Sequence, residues 1–301
     1  MATVFAPRPA FVVPIAHGGV LRLGERTLVM GILNVTPDSF ASPNPLRDPA
    51  DAVAAALRME ADGADLIDIG GESTRPGARA ISADEELSRV LPVLRALDGR
   101  LRIPMSIDTY KSDVARAASA AGAAIVNDVS GLRRDPALAA ACAETGAALI
   151  LMHARGRSDA MYAEAEYEDV IGEVTAELRE SIRCAVAAGV PLERLVVDPG
   201  VGFAKRPSHS YGVLARLPEL AAALDRPLLV GPSRKSFLRD AVGGRPAPER
   251  DWGTAAAVTA AVLAGAHIVR VHAVGEMVQV VRVAEEIRKA GARSPQPSAL
   301  L

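Results

Sequence analysis

Leu66-Ile67-Asp68-Ile69-Gly70-Gly71-Glu72-Ser73-Thr74-Arg75-Pro76-Gly77 passes from an apolar run to a polar, glycine-rich loop within a few positions. The apolar half reads as a buried strand of a parallel sheet, ending in the carboxylate of Asp68. Gly70 and Gly71 permit unusual backbone angles and close approach to a ligand. Thr74 and Arg75 then offer a hydroxyl and a guanidinium, suited to phosphate or carboxylate. A loop that merely caps the next helix would explain Ser73 or Thr74, but not two glycines followed by an arginine. The stretch therefore reads as a strand feeding an active-site lip, because polar loops after parallel strands are where such folds keep their chemistry.

The same grammar recurs along the chain. A helical run ends at a glycine, a short β-type run follows, and a polar residue terminates it: Gly63 to Asp68, Gly122 to Asn127, Gly146 to Met152-His153, Gly189 to Asp198, Gly265 to Arg270. Leu28 to Asn34, Ile103 to Asp108 and Pro227 to Gly231 complete a set of eight strands separated by segments of helical length. Eight such units in roughly 250 residues is the size of a closed (β/α)8 TIM barrel, an α/β fold. A doubly wound open sheet is the runner-up; no G-x-G-x-x-G follows the first strand, and the repeat runs evenly to the end. Phe11 to Thr27 alternates around Gly18-Gly19 and Gly24-Glu25, which predicts a short N-terminal hairpin. The expected organisation is an extension and hairpin over 1–27, the barrel over 28–290, and a frayed Pro- and Ser-rich tail over 291–301.

Composition narrows the class. Of 301 residues half are apolar but only 3% aromatic, so the core must be built from Ala, Val, Leu and Ile. A net charge of -2 argues against a nucleic-acid partner, and small molecules become the expected ligands. Cys142 and Cys184 fall in Ala-rich helical segments and are expected as reduced core residues. No signal-peptide run opens the chain, so the cytoplasm is the default. The uncharged stretch Gly253 to Val269 breaks at Gly265 and contains His267, so it is expected as a buried helix running into a strand, with no membrane span.

The strand ends carry Asn34, Asp68, Asp108, Asn127, Met152-His153, Asp198, Lys235, and Arg270 with His272. One terminal Asp or Asn is usually a helix cap. A structural barrel, however, has no need of Lys235, Arg270 and His272 converging on a rim with three carboxylates. Asp108, Asn127 and Asp198 offer acceptors and an amide to a flat heterocycle with several N–H donors, such as a pterin edge. Asn34, Arg75, Arg270 and His272 suit an oxygen-rich anion such as phosphate, with room for a divalent cation. His153 and His272 lie on different strands without a ligand motif, so a histidine-held metal is not expected, and no Ser-His-Asp or nucleophilic Cys pattern is visible.

Met30-Gly31-Ile32-Leu33-Asn34-Val35-Thr36-Pro37-Asp38-Ser39-Phe40, Asp68 through Gly77, Ser106-Ile107-Asp108-Thr109, Asn127-Asp128, Asp198-Pro199-Gly200, Ser233-Arg234-Lys235 and Arg270-Val271-His272 together resemble bacterial dihydropteroate synthases. The resemblance implies a (β/α)8 barrel that joins 6-hydroxymethyl-7,8-dihydropterin diphosphate to 4-aminobenzoate and releases pyrophosphate. It implies a pterin pocket of Asp108, Asn127, Asp198 and Lys235, with Met152 as an apolar wall and Arg270 packing on the ring. It implies an anion pocket of Asn34, Arg75, Arg270 and His272, with Mg2+ held near Asn34 by the diphosphate. Phe40, Thr74, Pro76 and Ser236 fall where the family contacts 4-aminobenzoate, and Asp38 lies on the loop expected to close over the intermediate. A homodimer is expected, since the family commonly pairs through helices near the barrel's end. Two departures stand out. The loop after Phe40 reads Ala41-Ser42-Pro43-Asn44-Pro45, where the family usually has Ser-Asp-Gly-Gly, and Ala273 stands where an Asp usually follows the Arg-Val-His run. A homologue that binds pterins or phosphates without turnover is thus the alternative. A barrel that handles methyl-tetrahydrofolate would have no use for Arg75 and His272.

Overall fold

The computed structural model describes residues 5, 7–36, 48–73, 79–156 and 165–292. Phe11–Pro14 (β1) and Val20–Leu23 (β2) pair antiparallel as the expected hairpin. Eight parallel strands follow: Leu28–Asn34 (β3), Leu66–Gly70 (β4), Met105–Asp108 (β5), Ala123–Asp128 (β6), Ala148–Met152 (β7), Leu195–Asp198 (β8), Leu229–Val230 (β9) and Ile268–Val271 (β10). The helices between and after them are Pro49–Ala61 (α1), Ala83–Leu97 (α2), Ser112–Ala120 (α3), Leu138–Thr145 (α4), Val170–Ala187 (α5), Pro207–Ala215 (α6), Leu217–Leu224 (α7), Asp251–Leu263 (α8) and Val274–Ala292 (α9).

The neighbour order is β8-β7-β6-β5-β4-β3-β10-β9. Val197 of β8 bridges in parallel to Leu228 just before β9, and Val197 N donates to Pro227 O at 3.0 Å, so the two ends of the sheet meet and the ring closes. This excludes the doubly wound alternative, whose edges stay apart. β9 is the shortest strand because prolines at 227 and 232 withhold ladder donors on either side of it.

The glycine punctuation has the anticipated cause. Gly63, Gly122, Gly146, Gly189 and Gly265 all adopt positive φ, from +72° to +101°, a conformation that ends a helix and costs a side-chain-bearing residue about 1–2 kcal/mol. At the other ends, Asp48, Ser82 and Asp169 accept hydrogen bonds from the first-turn amides of α1, α2 and α5. Strands with both faces buried carry continuous Val, Ile, Leu and Ala, which with the inner helix faces form one core. Two expectations need correction. Cys142 is buried in α4, but Cys184 is exposed on α5, where the helical period puts it on the outer face beside Glu180. α9 runs to Ala292, through two positions expected in the tail; residues 293–301 lie outside the described residues. Among the described residues no helix is long and apolar enough to cross a membrane, and Gly253 to Val269 is a helix followed by a strand, as expected.

The N-terminal segment seals the end of the barrel where the strands begin. Val13, Ile15, Ala16, Leu21 and Leu23 join the core, and Phe11 packs edge-on against the ring of His267 at 5.3 Å. His267 Nδ1 accepts from Leu228 N at 3.0 Å, so Nε2 carries the proton and donates to Pro9 O at 3.0 Å. Arg8 donates to Glu285 of α9 at 2.8 Å, and the same carboxylate oxygen accepts from Thr27 N at 2.8 Å. Both side chains are nearly water-free. Glu285→Ala should therefore leave a buried guanidinium uncompensated and lower stability by about 3 kcal/mol or more, with Glu285→Gln costing less. Urea unfolding measures this; a loss under about 1 kcal/mol for the alanine variant would mean the brace is not structural.

Candidate active site

With one end of the barrel sealed, the functional side chains gather at the other, where the strands finish. Parallel register sets Asn34, Gly70, Asp108 and Asn127 in one row across β3 to β6. Register partners share a face, so the row points one way. A Cβ on Gly70 would lie 3.6 Å from Asn34 Oδ1 and 3.7 Å from Asp108 Oδ2, so the bare glycine keeps open a space onto which both converge. Asp68, expected at the end of its strand, stands two residues short of that end. It occupies the same face one step deeper, because β4 continues to Gly70.

That depth makes Asp68 the hub of the site. Asn127 Nδ2 donates to Asp68 Oδ2 at 2.8 Å, and Arg270 Nε donates to the same oxygen at 2.6 Å. Arg270 Nη2 donates to Asp108 Oδ2 at 2.7 Å. The register of Arg270 is that of Met30 and, one strand further, Leu66, below both carboxylates; its long side chain climbs to span them with its rigid fork. Asp68 Oδ1 is buried with no partner among the described residues, an acceptor a water or ligand N–H can satisfy. Burial raises the pKa of Asp108 and Arg270 opposes it; burial would lower the pKa of Arg270, but Asp68 and Asp108 hold it above the ordinary value.

Asp198 faces the hub from the far side of the ring. Its Oδ1 accepts from Gly200 N at 2.7 Å, and a Cβ on the intervening Gly231 would lie 3.9 Å from Asp198 Oδ2 and 3.7 Å from Arg270 Cβ. Burial pushes the Asp198 carboxyl up to about 6, against the pull of the Gly200 amide and the Lys235 and Lys205 cations. Lys235 comes from a constrained turn. Arg234 sits at φ 57°, a left-handed conformation held by a two-pronged pair with Asp251 of α8 at 2.8 and 2.7 Å and by Arg234 N donating to Thr254 Oγ1 at 3.0 Å. The Lys235 stem crosses Gly202, where a Cβ would come within 3.2 Å of it, and its ammonium lies 3.6 Å from the centre of the Phe203 ring.

The structure thus brings Asp108, Asn127 and Arg270 into direct contact through Asp68, with Asp198 and Lys235 opposite. His272 follows Arg270 by two residues and is held at its Nδ1 edge by Ser233 Oγ at 2.9 Å. Met152 is buried against Gly200 at the end of β7, and Ser236 is exposed on the rim. Asp38, Phe40, Thr74, Arg75, Pro76 and the loop 41–45 lie outside the described residues. His153, expected among the strand-end groups, turns away from the mouth: its ring joins Glu177 of α5 at 3.1 Å and Lys205 at 2.8 Å. Among the described residues no cluster of three or more His, Cys, Asp or Glu could hold a metal. The amide oxygen of Asn34, beside the Asp108 carboxylate, is a donor set suited to a hard cation that arrives on a phosphate, since magnesium keeps most of its ligands from water and substrate. Sequence reasoning gave no central role to Asp68 and none to Ser233, Phe203 or Lys205. The only available signal was the position of Asp68 among the strand-end carboxylates.

Residues 30–272 match the model of a family described as pterin binding enzyme. The chain is 46% identical over 264 residues to the dihydropteroate synthase of Synechocystis sp., covering 88% of this chain and 91% of the relative. It is similar to the Yersinia pestis dihydropteroate synthase solved with a sulfonamide drug complex, with a TM-score of 0.87, 42% identity, and coverage of 91% of this chain and 98% of that one. It is also similar to the Burkholderia cenocepacia dihydropteroate synthase complexed with 7,8-dihydropteroate, with a TM-score of 0.82, 42% identity, and coverage of 93% and 97%.

The raised pKa of Asp198 has a consequence for stability. The folded state takes up a proton that the unfolded state, near 3.9, releases sooner, so stability falls as pH rises from about 4 to about 6 and the cost is fully present above that. Asp198→Asn removes this pH dependence. Relative to wild type the variant should gain on the order of 2 kcal/mol between pH 4.5 and pH 7.5. Urea unfolding at both pH values checks this, and a pH-independent difference would contradict the shift.

Proposed function

The chain belongs to the pterin-binding enzyme family and carries out the dihydropteroate synthase reaction, a transfer in folate synthesis; from that premise we propose how its residues divide the work. The reaction joins 6-hydroxymethyl-7,8-dihydropterin diphosphate to 4-aminobenzoate, giving 7,8-dihydropteroate and pyrophosphate. The observation that carries the assignment of roles is the gathering of Asp108, Asn127 and Arg270 around Asp68, with Asp198 and Lys235 facing them across one mouth.

Asp108, Asn127 and Asp198 accept from and donate to the polar edge of the pterin, Lys235 adds a cation beside it, and Met152 walls the apolar face. Arg270, gripped by Asp68 and Asp108, is kept from swinging and packs on the ring while its charge faces the leaving group. His272, steadied by Ser233, and Arg75 bind the diphosphate, and Asn34 offers its side-chain oxygen to magnesium. When bound, magnesium neutralises part of the diphosphate charge and steadies the departing anion. Phe40, Thr74, Pro76 and Ser236 receive 4-aminobenzoate, and Asp38 lies on the loop that closes over the reacting carbon. No described residue in the mouth is placed as a covalent nucleophile. The electron-rich dihydropterin can share positive charge, so pyrophosphate departs before the amine attacks, and the residues' task is electrostatic: hold the anion, cover the cation and exclude water. The resemblance alone supports a homodimer and a cytoplasmic setting.

The direct test is to mix pure protein with pterin diphosphate, magnesium and 4-aminobenzoate and follow both products. Formation of pyrophosphate and dihydropteroate is expected; pterin binding without either product would favour the homologue that binds but does not turn over. His272→Ala should weaken pterin diphosphate roughly tenfold or more while sparing the bare pterin, because one charge-assisted contact to the anion is worth about 1.5–3 kcal/mol. Equal loss for both ligands by calorimetry would refute the two-ended pocket. Ordered departure also implies that 4-aminobenzoate binds poorly to the free protein and well in the presence of pyrophosphate, magnesium and a pterin. The same affinity in both conditions would leave a preformed site as the better account.

A further inference from the structure

Lys205 is among the largest fully buried side chains of the described residues, with 1% of its surface exposed. A lysine so placed must spend all its hydrogen-bond donors inside. Its ammonium reaches His153 Nδ1 at 2.8 Å, Gly200 O at 3.2 Å and Phe203 O at 3.2 Å. The tautomer of His153 follows from its other edge. Nε2 faces a Glu177 oxygen at 3.1 Å, a carboxylate can only accept, and so Nε2 carries the proton and Nδ1 is left to accept from Lys205. Burial and the neighbouring Lys205 lower the His153 pKa to about 4, which keeps the ring neutral and able to play that part.

The two carbonyls that Lys205 holds belong to the turn that follows Asp198 and underlies Lys235. Gly200 N fixes the Asp198 carboxylate, and Phe203 lies beneath Lys235. The turn is also pressed onto the end of β7: His153 N donates to Asp198 O at 2.8 Å, and a Cβ on Gly200, at φ +65°, would lie 1.9 Å from His153 O. We propose that Lys205 is a positioning residue for pterin capture, tying the Asp198–Phe203 turn to His153 and Glu177 so that Asp198 and Lys235 are presented together, and setting a buried cation behind the Asp198 carboxylate. The proposal rests on the pterin-binding reading of the mouth.

The electrostatic part gives a signature that a purely mechanical tether would not. Asp198 is faced by Lys235 from the turn after β9, by Arg270 from β10 and by Lys205 from its own loop. Lys205 in turn is faced by His153 and Arg155 after β7, Arg133 after β6, Tyr167 and Glu177 of the α5 region, Asp198, and His209 of α6. Burial lowers the Lys205 pKa to about 7, so the ammonium is charged where Asp198 titrates, near 6. Removing that cation raises the pKa of Asp198, and the acid limb of pterin binding moves to higher pH.

The test uses the full chain with Lys205→Met and Lys205→Gln, titrated calorimetrically with a bare pterin and, separately, with pyrophosphate and magnesium, across pH 5 to 8. Wild type must bind the pterin; if it does not, the functional reading fails, whatever the variants do. Given that, Lys205→Met is expected to weaken the pterin tenfold or more at pH 7.5 and pyrophosphate less than twofold. Both variants should move the acid limb upward. Lys205→Gln, which keeps an amide donor in place of the charge, should keep more of the pterin affinity and decides the question if the methionine variant fails to fold. A folded variant with unchanged pterin affinity, an equal loss for both ligands, or an unmoved acid limb would overturn the proposal.

Discussion

The site depends on one ion-paired fork. Arg270 leaves β10 below the level of the ligand-facing row and ends on two carboxylates from neighbouring parts of the ring, Asp68 of β4 and Asp108 of β5. At that depth each of the three charges is costly to bury by itself, and each is offset by its partners. Removing Arg270 would leave both carboxylates buried without their shared cation, so the barrel must close in the register it has for the site to exist.

Around that fork the barrel supplies vacancies as much as side chains. Gly70 opens the space between Asn34 and Asp108, Gly231 opens the space between Arg270 and Asp198, and Gly202 lets the Lys235 stem lie across the loop backbone. Where the backbone must turn without glycine, at Arg234, the left-handed conformation is bound on both sides by α8. Such strain is carried where a functional group must be aimed, and Lys235 is the group that follows. The pH cost of Asp198 belongs with this: the carboxylate sits at a depth where burial opposes its charge.

The two ends of the barrel divide labour. At the sealed end Arg8, Thr27 and Glu285 bond one another, and His267 bonds Leu228 N and Pro9 O. At the open end Asp68 Oδ1 has no partner among the described residues, and burial raises the pKa of Asp198 against the pull of nearby cations.

Much of this was legible along the chain. The strand and helix alternation, the glycine stops and the polar strand ends are local patterns with periods of a few residues, so sequence alone determined the barrel and named Asp108, Asn127, Asp198, Lys235, Arg270 and His272. The ordered motifs determined the family. What needed the tertiary structure is whatever depends on which distant strands become neighbours and how deep a residue lies. Asp68 is one strand-end carboxylate among several in the sequence, and a hub only once β10 has come round the ring to lie beside β3. His153 is a strand-end histidine that could face either way until the packing of α5 turns it to Glu177. Cys184 and Cys142 look alike until helix rotation exposes one and buries the other. A lone lysine in a loop reads as a solvated surface charge; only the folding of the Asp198–Phe203 turn over the end of β7 encloses Lys205 and gives its ammonium three partners.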